Sequence, residues 1–161
     1  MNAPTVQFRV PKELVIVQLE AATVPEVIEQ LGAIMVEHGY VRPSFIPAAI
    51  LREETSPTGL PTPGLGAAIP HADTEHTLKP GIGIATLAHP VPFGQLGDPE
   101  SRLDVSIVFM LSVTEPETQV YLLRSIVGVY REEAALRRLY AATDPAQVAS
   151  QVNASLAQST H

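Results

Sequence analysis

Gly66-Ala67-Ala68-Ile69-Pro70-His71-Ala72-Asp73-Thr74-Glu75-His76 is the stretch on which the reading of this chain turns. Its first four residues are small or apolar, the composition of a buried strand. Pro70 has a fixed φ and no N–H to give to a ladder, so the strand ends there. His71 is thereby placed just past a strand end, beside a stiff neighbour. Asp73 or Thr74 suits the cap of a short helical turn whose free N–H groups would point back at the imidazole. An imidazole beside unpaired backbone donors suits a group that carries an anion, phosphate above all. A structural histidine, hydrogen-bonded at a strand end, fits the same spacing, so the stretch alone leaves both readings open.

Around this stretch lies a chain of 161 residues, enough for one domain with a real core. Apolar residues make up 45% and charged ones 17%, which places it among globular chains. The absence of Cys excludes disulfides, thiolate metal sites and cysteine nucleophiles. A formal charge of -7 argues against binding nucleic acid or anionic membrane, both of which reward basic patches. It is compatible with docking on a basic protein. Arg9, Lys12 and Glu13 interrupt any apolar run at the amino end, so neither a signal peptide nor a membrane segment is expected there. The expected compartment is the cytoplasm.

Taken in order, residues 1–12 read as a loose lead before a domain over residues 13–157. Residues 14–19 are short and β-branched, a strand. Thr23 and Glu26 form a capping-box pattern with Pro25 in the first turn, opening a helix to about His38, with Gly39 as its stop. His38, in the last turn, reads as compensation for the helix dipole. A second helix is expected over residues 44–54, with Phe45, Ala48, Ala49 and Leu51 inward and Arg52 in its last turn. Residues 82–88 read as a buried strand, 89–101 as a Pro- and Gly-rich loop, and 103–111 as a central strand. Thr114-Glu115-Pro116-Glu117 offers another capping box before a helix over 119–129. Helices over 132–140 and after the Asp144-Pro145 cap complete the chain. Strands alternating with helices indicate an α/β layer architecture.

Leu51-Arg52-Glu53-Glu54-Thr55-Ser56-Pro57-Thr58-Gly59 lies upstream of the His71 stretch, and Leu78-Lys79 and Val91-Pro92-Phe93-Gly94 lie downstream. In that order the pieces resemble the enzyme IIA domains of the bacterial sugar phosphotransferase system, fructose–mannitol superfamily, and most of all the galactitol branch. Arg-Glu…Pro-Thr-Gly…Ile-Pro-His is the specific part. The resemblance implies a single domain with a small mixed β-sheet flanked by helices on both faces, a three-layer α/β/α arrangement. It implies that His71 accepts a phosphoryl group, through Nε2 with Nδ1 held by a local hydrogen bond, from the histidine-containing phosphocarrier protein. His71 then passes the group to a cysteine of an enzyme IIB serving a membrane enzyme IIC, with no metal or cofactor. Arg52 matches the active-site arginine, although by position alone it could equally compensate a helix dipole. A nitrogen-type regulatory relative would share His71, and is the second reading.

His76 follows His71 by five residues, which is wrong spacing for two ligands on one helical face. It suits either a hydrogen bond to the phosphoryl group or a surface residue with no role. His71, Asp73, Glu75 and His76, with His89, also contain enough donors for a zinc or nickel site, a third reading. Where the mannitol type carries a second active-site histidine, this chain has Glu117, whose charge would repel a phosphoryl group and which is therefore assigned to the capping box. The remaining histidine, His161, lies at the terminus.

Overall fold

Two strands of fifteen residues, β3 (Gly81–Gln95) and β4 (Asp98–Ser112), form an antiparallel hairpin at the centre of the molecule. The computed structural model describes residues 9–62 and 64–159. β1 (Val15–Leu19) adds to the hairpin in parallel along β3, and β2 (Gly66–Ala68) in parallel along β4. The sheet is therefore mixed, in the order β1-β3-β4-β2, with β4 paired on both sides.

Five helices cover it: α1 (Val24–Glu37), α2 (Phe45–Thr55), α3 (Pro116–Tyr130), α4 (Glu133–Ala141) and α5 (Pro145–Ser159). The period-2 alternation of a strand divides them between the two faces. Ile107, Phe109 and Leu111 of β4 share a core with Leu122, Ile126 and Tyr130 of α3, Leu136 and Leu139 of α4, and Val148 and Val152 of α5. Val108 and Met110, the alternate residues, and Val105, which lies beyond a register shift in the pairing of β4, share the other with Val27, Ile28, Leu31 and Met35 of α1 and Phe45 and Ala49 of α2. The expected three layers are present. Because both faces are covered there, the second half of β4, residues 105–111, reads as an almost continuous apolar run.

The expected loop over residues 89–101 is instead the distal half of the hairpin. Leu96-Gly97 makes the turn, with Gly97 at φ +80°, a conformation glycine adopts without strain. Pro90 and Pro92 are tolerated because β1 stops pairing at Leu19↔Leu87, leaving the outer edge of β3 free of the N–H partners a proline lacks. The lead over residues 1–12 is not loose at its end. Val10 is buried, and its N–H and C=O both bond to the Asn153 amide, at 2.8 and 3.1 Å. Residues 1–8 of that lead, and His161, lie outside the described residues.

Helix signals held at α1, where Thr23 Oγ1 accepts from Glu26 N, and at α5, where Asp144 Oδ1 accepts from Gln147 N. They failed at α3. Its N-cap is Glu115, with Pro116 at the first helical position and no side-chain cap bond, so Thr114 and Glu117 stand one residue out of register for a capping box. Leu51, expected inward, is 61% exposed. The buried face of α2 is Phe45, Ala49 and Glu53, spaced by four residues, and Leu51 lies on the opposite side.

Candidate functional site

β2 and β4 run in parallel, so their carboxyl ends meet at one edge of the sheet, where Pro70 accepts a hydrogen bond from Leu111 N at 3.1 Å. That bond carries the chain one step beyond β2 and sets His71 at the edge. α3 begins four residues after β4, at the same edge, and Gln119 Nε2 reaches the Ala72 carbonyl at 3.4 Å. The crevice beyond strand carboxyl ends is where α/β sheets bind ligands.

His71 is 6% exposed, and its Nδ1 lies 2.9 Å from the carbonyl of Ile69. A carbonyl only accepts, so Nδ1 carries the proton and Nε2 keeps its lone pair. Burial pushes the His71 pKa below its ordinary value; the Ile69 hydrogen bond and Asp73 work against that, and the Arg52 charge works with it. The ring is thus held neutral and nucleophilic near pH 7. Among the described residues the N–H groups of Ala72 and Asp73 have no protein acceptor. The expected turn follows at residues 74–76, a single 3-10 turn. Asp73 stands at its start without capping it.

The Asp73 carboxylate is engaged elsewhere. It pairs with Arg52 Nη1 at 3.3 Å, the arginine projecting from the last turn of α2. Both side chains are well exposed, at 42% and 72%, so the pair is worth at most about 1 kcal/mol and can separate readily. Arg52, Asp73 and His76 line one cleft of about 320 Å³, with Ala48, Leu51 and Ala72 among its walls. His71 adjoins this cleft through Ala72 and Asp73 and does not itself line it. His76 is held by its Nδ1, 2.9 Å from Ser44 Oγ, and its Nε2 lies 3.9 Å from Glu75 Oε1.

The structure thus brings Arg52 and His76 to one cleft next to His71. It does not gather the donors of a metal site: among the described residues no group of three His, Asp or Glu is placed to hold an ion. His89 is exposed on β3, and His38 bonds back to Ile34 O at the end of α1. Glu117 is exposed in the first turn of α3, at the sheet edge that carries His71.

Sequence reasoning placed Glu53 and Thr58 in the Arg-Glu…Pro-Thr-Gly pattern but gave neither a role. Glu53 is 7% exposed, and its carboxyl accepts from Thr58 N at 3.1 Å and from Thr58 Oγ1 at 2.5 Å. Burial raises its pKa, against the two Thr58 hydrogen bonds and the charge of Arg52, which lower it. Thr58 Oγ1 in turn accepts from Ile69 N at 3.0 Å. The available signal was an acid on the Phe45–Ala49 stripe of α2, where an apolar residue is expected.

Comparison with known proteins gives this geometry a setting. Residues 9–155 match the family model described as phosphoenolpyruvate-dependent sugar phosphotransferase system, EIIA 2. The chain is 33% identical over 103 residues to the galactitol-specific EIIA component of Escherichia coli K12, covering 64% of this chain and 68% of that protein. It is 37% identical over 123 residues to the transcriptional regulator ManR of Bacillus subtilis, covering 76% of this chain but only 17% of that protein's length. The mannitol IIA of E. coli, solved in complex with phosphorylated enzyme IIB, superposes with a TM-score of 0.73 at 25% identity, covering 94% of this chain and 99% of that one.

Proposed function

The chain belongs to the EIIA 2 family of the phosphoenolpyruvate-dependent sugar phosphotransferase system, and from that membership we propose that it is a phosphohistidine carrier with His71 as the phosphorylated residue. The observation that carries this reading is the Nδ1–Ile69 bond, which directs the free lone pair of a buried, neutral ring to Nε2.

In this reading His71 Nε2 attacks the phosphorus of the phosphorylated histidine-containing phosphocarrier protein. The new N–P bond forms as the donor's N–P bond breaks. In-line transfer of this kind needs positioning and charge stabilisation more than covalent assistance. As Nε2 gives up its lone pair the ring gains positive charge, which the Ile69 carbonyl stabilises through Nδ1–H. Arg52 leaves Asp73 for the phosphoryl oxygens, its planar fork matching two of them. The N–H groups of Ala72 and Asp73 add donors, and His76 supplies a secondary contact from the cleft. The phosphoryl group then passes to a cysteine of a cognate enzyme IIB, which serves the membrane enzyme IIC during sugar or sugar-alcohol uptake of galactitol type. In this reading the protein works in the cytoplasm, where the phosphocarrier supplies the phosphoryl group.

The likeness to ManR supports a second reading, in which the same phosphorylation controls a regulatory partner. Incubation with phosphoenolpyruvate, enzyme I and the phosphocarrier tests the chemistry shared by both. The expected product carries one phosphoryl group, labile in acid and stable in base, on His71; His71→Ala takes up none and His76→Ala is still labelled. Label persisting in His71→Ala overturns the assignment. Onward transfer to an enzyme IIB cysteine separates transport from regulation.

A further inference from the structure

Phosphoryl transfer as described leaves one buried acid without a part. Glu53 is buried and does not line the cleft, and both its carboxyl oxygens face Thr58. The Thr58 hydroxyl has a single proton. Because it donates that proton to Glu53 Oε1, its lone pairs are left to accept, and Ile69 N–H is the donor that fills one. Ile69 is then fixed from both sides: its N–H on Thr58, and its C=O on the Nδ1–H of His71. Pro70 O accepts from Leu111 N of β4, whereas Ala67 O, two residues before Ile69, accepts from Leu60 N on the far side of β2. Ile69 N–H therefore faces the outer edge of β2, away from β4, and Thr58 supplies the acceptor there.

Thr58 itself is anchored closely. The adjacent Gly59 donates to Gly94 O at 3.0 Å, and a Cβ on Gly59 would collide with that oxygen, so only glycine permits the approach. Leu60 N bonds to Ala67 O at 2.7 Å, running the loop alongside β2. The segment from Glu53 to Leu60 thus braces Ala67 and Ile69 ahead of Pro70.

We propose that Glu53 and Thr58 are positioning residues for His71: they clamp Ile69 so that its carbonyl holds the Nδ1 proton and leaves Nε2 bare toward the incoming phosphoryl group. The link runs through the placement of Ile69, since its N–H and C=O belong to different peptide units. The functional half of the proposal rests on the carrier reading, whereas the state of the ring can be read without any phosphoryl donor.

Thr58→Val keeps the shape of the side chain and removes the hydroxyl; Thr58→Ser keeps the hydroxyl. Long-range proton–nitrogen spectra of the histidine rings near neutral pH should show wild-type His71 as a single Nδ1–H tautomer. Thr58→Val should show a mixture with the Nε2–H form. Phosphoryl acceptance at saturating phosphocarrier should fall about tenfold in that variant, with KM nearly unchanged, as expected for a misplaced nucleophile. Thr58→Ser should restore both. A folded Thr58→Val with the wild-type tautomer, or with the wild-type transfer rate, overturns the proposal. If Thr58→Val does not fold, Glu53→Gln is measured in the same way. It should shift the tautomer in the same direction, and an unchanged ring overturns the clamp. Should wild-type protein take up no phosphoryl group at all, the carrier reading falls, while the spectra still decide whether Thr58 sets the ring.

Discussion

At the scale of single residues, the resting site is defined by who holds Arg52. The guanidinium is paired with Asp73, a partner of the same charge sign as the phosphoryl group that would replace it in the proposed transfer. Arg52→Ala should leave folding intact, because the side chain is largely solvated. It should slow phosphoryl acceptance about a hundredfold, the effect typical of deleting one transition-state donor; wild-type rates would remove Arg52 from the site. Asp73→Asn should act in the other direction. It removes the anion that competes for Arg52 and that faces the incoming negative charge, so acceptance should rise by a few-fold at low salt, with a smaller gain at high salt. A slower Asp73→Asn variant would mean that the carboxylate holds Arg52 in place for the reaction. The positions of His71 and Arg52 were legible in the sequence, His71 because Pro70 follows the end of β2 and Arg52 because it falls in the last turn of α2. Glu53 and Thr58 stood in the quoted motif, but their contact was not legible, since a buried carboxyl stabilised by a loop hydroxyl depends on a fold that brings the two together.

Elements were legible where a local rule had no competitor. Thr23 and Asp144 cap their helices, and the run of β4 reads as a strand buried on both sides. Prolines misled over residues 89–101, because whether a missing N–H matters depends on which edge of the sheet it faces. The capping box before α3 misled for a related reason: Pro116 fixes the first helical position, and that shifts the cap to Glu115. β1 contains a feature no pattern announced. Gln18 has φ +59°, a left-handed conformation, where the register along β3 shifts and Gln18 N bonds to Thr86 Oγ1 at 2.9 Å. That conformation costs a non-glycine residue roughly 1–2 kcal/mol, while glycine loses about 0.5–1 kcal/mol in backbone entropy. Gln18→Gly should therefore gain about 0.5–1 kcal/mol of stability, read as a higher denaturant midpoint with an unchanged slope. A destabilised variant would mean that the Gln18 side chain contributes more than its exposure suggests.

For the whole molecule, two buried ionisable groups, His71 and Glu53, give stability opposite slopes with pH. The folded-state pKa of His71 lies below its ordinary 6.5, chiefly through burial. Between those two values the unfolded chain binds the extra proton, so the contribution of His71 is complete above pH 6.5 and is lost as pH falls through the folded pKa. The folded-state pKa of Glu53 lies above its ordinary 4.5, again chiefly through burial. Its contribution is complete below pH 4.5 and is lost as pH rises through the folded pKa. Tyr130, raised above 10 by burial, adds a loss only in strong alkali. Because the two slopes partly offset each other, the wild-type curve alone identifies neither, and the comparison has to be made against a variant. His71→Gln removes one titration and keeps a side chain of similar polarity. Measured by denaturant unfolding, its stability relative to wild type should rise steadily as pH falls below 6.5 and hold constant above it. Parallel curves for the two proteins across that boundary would show that His71 titrates alike in the folded and unfolded chains, and the buried neutral imidazole on which the carrier reading depends would be lost with it.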